Sequence, residues 1–150
     1  MITTLVLRVV ERVHGHFGWL AVAALVHPAI LLRDPRRRAR LAATLAAVTV
    51  VLAAGIGAWV YPHYRLLLKQ RIFVESARVG WLFERKEHLS VGAVAFALIG
   101  CVAHLVVPAI DDAPTRLRLA RLAHRAFVIG AALAFVVAVL GVTVASFRSF

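Results

Sequence analysis

The stretch LAATLAAVTVVLAAGIGAWVYPHY, residues 41–64, contains no Asp, Glu, Lys or Arg. A bilayer core about 30 Å thick is crossed by about 20 helical residues. Inside hydrocarbon every backbone N–H and C=O must be satisfied within the segment, so an isolated crossing of this kind is a helix. Three more charge-free stretches are long enough by the same measure: 13–32, 89–110 and 126–147. The expected fold class is therefore all-α. The chain reads as a polytopic integral membrane protein, a four-transmembrane-helix bundle forming a single membrane domain over residues 1–150. With most of the length in spans, chemistry is expected between helices or at the interfaces and not in a separate soluble domain.

The segments between the spans carry the charge. Lys and Arg number 18 against 7 Asp and Glu, a net charge of +11. On a soluble chain this balance suggests nucleic acid. Here the cations flank apolar spans, where arginine binds anionic headgroups and sets orientation, so a lipid bilayer and no nucleic acid is the expected partner. The short connections 33–40 and 111–125 together hold nine arginines. This density places both on the cytoplasmic side and the two termini with residues 65–88 opposite, as in a bacterial inner membrane. Cys101 is the single cysteine and lies within the third span, so it implies no intrachain disulfide.

Residues 2–13 and the glycine just beyond them show a polar stripe of Thr4, Arg8, Glu11, Arg12 and Gly15 at helical spacing. They read as an amphipathic N-terminal lead-in, lying at the interface or continuing into the first span, and not as a cleaved signal. Pro35 is expected to stop the first helix and close a tight hairpin, and Pro62 to end or kink the second. The connection 65–88 carries too many large apolar residues for a wet loop, among them Ile72, Phe73, Trp81 and Phe83. An interfacial helical connection, or extensions of the second and third spans, is expected, with Phe73, Trp81 and Phe83 buried against lipid or the bundle. Small residues four apart, such as Ala53 with Gly57 and Gly130 with Ala134, predict close helix contacts inside the bundle.

The seven histidines fall at two depths. His14, His16, His63 and His88 lie toward one end, and His27, His104 and His124 toward the other. His27 and His104 are well inside their spans and at matching depth, and intramembrane ionisable groups are functional candidates by default. They are read as a candidate inner pair holding a b-type haem, since two imidazoles from facing helices ligate haem iron. His16 and His27 are eleven residues apart, within about 20° in direction and about 16 Å along a helix. His88 and His104, sixteen apart, face opposite ways on a straight helix. An outer candidate site therefore draws on His16, His63 and His88, with Arg65, Lys69 and Arg85 as cations for haem propionates or lipid headgroups. Tyr61, His63, Tyr64 and Arg65 combine an aromatic belt with donors for a quinone headgroup. Glu84 and His88, four apart on one helix face, form with His63, and with His14 or His16, a mixed metal-ligand set. Ordinary carboxylates at a helix N-terminus are the simpler reading of Glu84 and Glu87. No nucleophile triad, phosphate loop or zinc-protease motif is present in the sequence.

The functional expectation is a small haem-binding or quinone-linked electron-transfer membrane subunit. Its rivals are a non-catalytic accessory or assembly subunit of a larger complex and a metal-handling membrane protein. Other membrane subunits or further copies of the chain are the expected protein partners.

Overall fold

A computed structural model describes residues 4–147. Five α-helices are present among them: α1 (Thr4–Leu31), α2 (Arg40–Leu67), α3 (Lys69–Glu75), α4 (Ala77–Val106) and α5 (Ala113–Phe147). A short 3-10 turn, Val107–Ala109, ends α4. Helices α1, α2, α4 and α5 are long and apolar enough to cross a membrane.

The long helices form a ring. Helix α1 packs on α2 and α5, and α4 packs on α5 and α2, which leaves α1 and α4 diagonal to one another. Every neighbouring pair is antiparallel. Gly92 faces Leu133, Gly100 faces Phe127 and Gly141 faces Lys86, so residue numbers fall along α4 as they rise along α5. Trp19 of α1 meets Phe135 of α5 edge-on at 5.9 Å. The chain thus runs up, down, up and down. Both short turns lie at one end, and the described N-terminal residues, α3 and Phe147 lie at the other.

Alanine and glycine dominate the interior. Ala43, Ala46, Ala97 and Ala123 are fully buried, and Phe127 is the largest side chain enclosed. Without a hydrophobic difference between lipid and side chains, helix association in a bilayer rests on close packing, which small residues permit. Gly100 shows the reason. A Cβ there would lie 3.0 Å from the Phe127 ring, so the missing side chain is what lets α4 approach α5. Ala53, Gly57, Gly130 and Ala134 all lie on inward or half-buried positions, as their spacing predicts.

Several helix ends differ from the sequence expectation. The lead-in, by contrast, continues into the first span from Thr4 onward, one of the two arrangements expected for it; its residues 2–3 lie outside the described residues. Helix α1 stops at Leu31, four residues before Pro35, and Asp34 shapes the turn by accepting the Arg36 N–H at 2.9 Å. Helix α2 passes Pro62 and ends at Leu67. A proline removes one helical donor and crowds the preceding turn; at an exposed position near the helix end, packing of Tyr64 and Leu68 below it holds the helix together. The connection 65–88 is helical throughout apart from breaks at Leu68 and Ser76. Phe83 is buried and Phe73 half-buried, but Trp81 is exposed and touches the protein through the edge of Phe73, 5.9 Å away.

Candidate functional site

Three groups of polar side chains stand out in this apolar frame. The first joins two helices at the turn end. His104 is buried on α4, and its Nε2 accepts the backbone N–H of Ala39 at 3.1 Å. Ala39 precedes the first residue of α2, where helical N–H groups lack partners of their own. The imidazole supplies one acceptor there and so acts as a tertiary cap.

The second group fills the opposite end of the bundle. His14, on the inward face of α1, donates from Nδ1 to the Ala53 carbonyl of α2 at 3.1 Å. Gly57, one turn further along α2, provides the room: a Cβ there would come within 2.8 Å of the His14 ring. Beside it, Lys86 of α4 is nearly enclosed, lies 4.7 Å above the Phe83 ring and pairs with Glu87 at 3.0 Å. Phe83 in turn stacks on Tyr64 at 3.9 Å between centroids. Lys69 of α3 closes the end by pairing with Glu84 at 2.5 Å. Each charge has a counter-charge or a ring face, which is how charged groups persist in a low-dielectric interior.

The third group faces away from the protein. His16 and His27 are both exposed on α1. The exposed positions Val9, Val13, His16, Leu20, Ala23, His27 and Ile30 alternate in steps of four and three, which makes one stripe down the outside of the helix. His16 and His27 both belong to that stripe, His27 one step from its turn end, opposite the buried Leu7, Ala21 and Leu25.

This distribution separates several residues that the sequence groups together. His27 and His104 share a depth, but they stand on diagonal helices, one exposed and the other buried and hydrogen-bonded to Ala39. They do not form a facing pair within one chain. Glu84, His88 and His63 do not assemble either. The His88 ring donates to the carbonyl of Glu84 on its own helix at 2.7 Å, while the Glu84 carboxylate is taken by Lys69. His63 is half-buried beside Trp59, 5.5 Å away. Among the described residues no three His, Cys, Asp or Glu side chains come together as a metal-binding group. Arg65 and Arg85 are exposed at this end, outside the Lys69–Glu84 pair. Of the quinone donors, Tyr64 is buried in the Phe83 stack and Arg65 points outward, so they do not share one open face. His124 is half-buried in a cleft between α1 and α5 with Val26, Ile30 and Arg33.

Sequence reasoning underrates His14 and Lys86. A usable signal exists for the first: His14 and His16 are two residues apart, about 200° around a helix, so they cannot share a face. Against known protein families, characterised proteins and solved structures, the chain shows no match.

Proposed function

We propose that this chain is a small integral membrane subunit that works by lateral assembly, an accessory or assembly component of a larger membrane complex. The observation that carries this reading is His27. It lies six residues, about 9 Å, inside the charge-free segment and faces away from its own bundle. An unpaired polar group in hydrocarbon costs several kcal/mol, so a partner is expected to cover it. The bundle interior, by contrast, ties its helices together at both ends, through His104 and Ala39 at one and through His14 with Ala53 and Lys69 with Glu84 at the other, which suits a scaffold. The setting in this reading is a bacterial inner membrane, with the arginine-rich turns on the cytoplasmic face. Extraction of the tagged chain from its own membranes in mild detergent tests it. An assembly heavier than one chain is expected, and a strictly monomeric protein would contradict it.

A second reading, the haem-bearing electron-transfer subunit, keeps support from one feature. His16 and His27 share the outward stripe about 16 Å apart along the axis, a spacing suited to two stacked cofactors. His104 is engaged with Ala39, so the second axial ligand of such a haem would come from another subunit. An absorption spectrum of the intact assembly distinguishes the two. A Soret band lost in His27→Ala and kept in His104→Ala supports the haem reading.

A further inference from the structure

We infer that the outward stripe of α1 is a parallel seam between two copies of this chain, closed toward its turn end by His27 against His27 of the second copy. The inference rests on the assembly reading and names its partner.

Three observations converge. First, α1 is the least apolar of the four long helices, although its outward face is as exposed as theirs. Second, the other outward faces match lipid. Helix α4 presents Val91, Leu98 and Val102, and α5 presents Val128, Phe135 and Val139. The exposed imidazoles of the charge-free segments are those of α1. Third, the stripe has the step of four and three that lets two helices interlock along a left-handed seam. Ala23, between Leu20 and His27, keeps side-chain bulk low where the backbones must approach.

The chemistry selects a second copy over an unrelated helix. A two-fold axis along the membrane normal brings residues of equal depth together. It therefore sets His27 against His27 and His16 against His16. Neutral imidazole has one donor nitrogen and one acceptor nitrogen, so it is self-complementary, as few side chains are. An unrelated helix would need polar groups at both matching depths. The seam contains no carboxylate and no cation inside the charge-free segment; Arg12 flanks it at headgroup level.

Cysteine crosslinking in native membranes tests this, in a Cys101→Ala background. Ala23→Cys and Leu20→Cys are expected to give a disulfide-linked dimer of the chain on mild oxidation, and Val102→Cys on the outer face of α4 is not. In the Ala23→Cys chain, adding His27→Leu should lower the dimer yield roughly fivefold, the equivalent of about 1 kcal/mol for one interhelical hydrogen bond. His27→Asn should largely retain it. Absence of dimer at both 20 and 23, or equal dimer at 102, would overturn the inference. Crosslinking of position 23 to a different protein would also overturn it, while leaving the assembly reading intact.

Discussion

His104 Nε2 and the Ala39 N–H lie 3.1 Å apart, which ties the end of α4 to the start of α2 across 65 residues of chain. The bond satisfies a helix-start donor that would otherwise be buried without a partner, and leaving such a group unmade costs about 1–3 kcal/mol. His104→Ala is therefore expected to lower stability in detergent by about that amount. His27→Ala in the monomeric chain should change it by less than about 0.5 kcal/mol, as for a surface site. Thermal unfolding of the two variants checks the contrast.

Gly57 and Gly55 give a second paired test. A methyl at Gly57 collides with the His14 ring, and the ring can move only by giving up the Ala53 carbonyl. Gly57→Ala is expected to destabilise by about 1–2 kcal/mol. Gly55 has open space around it, so Gly55→Ala should be neutral or stabilising by up to about 1 kcal/mol, the usual gain of alanine over glycine in a helix. Equal effects of the two would refute the role given to His14.

These contrasts mark what the sequence can and cannot say. The four spans are legible because absence of charge over a whole membrane thickness is a one-dimensional signal, and the helical hairpins follow from it. The helical character of 65–88 is legible from Phe73 and Phe83, which have no place in a wet loop. Depth along the axis is also readable, which is why His27 and His104 match. Rotation about the axis is not. The spans of α4 and α5 are apolar nearly all round, so no moment shows which side of them faces a neighbour, and on α1 the shared direction of His16 and His27 does not say whether that side is inward or outward. The His104–Ala39 bond depends on which end meets which, a long-range fact with no local signature. Pro62 as a helix stop fails for a related reason: α2 continues to Leu67, where Tyr64 and Leu68 are packed.

Asp112 supplies a pH test outside the spans. Its carboxylate accepts the Thr115 N–H at 2.8 Å at the start of α5. Hydrogen bonds from the Thr115 side chain and backbone, with a smaller contribution from Arg116, hold this carboxyl below the usual carboxylate range. The folded value is thus the lower one. The cap's contribution is fully present above the ordinary aspartate value of about 3.9 and is lost as pH falls through the folded value. Amide exchange at Thr115 is expected to quicken in that acid window in the native chain. Asp112→Asn, which keeps an acceptor but no titrating group, should abolish the pH dependence.

Orientation follows from the arginine-rich turns. With Arg37→Cys in a Cys101→Ala background, a membrane-impermeant thiol reagent should leave intact cells unlabelled and label inverted vesicles. The reverse pattern would invert the orientation and keep the bundle.

The central claim is that the outer face of α1 is covered by protein while those of α4 and α5 meet lipid. A photoreactive amino acid at Ala23, compared with one at Val102, measures this directly in native membranes. The expected result is a strong protein adduct from position 23 and none from position 102; lipid adducts alone from position 23, or matching protein adducts from both, would contradict the account.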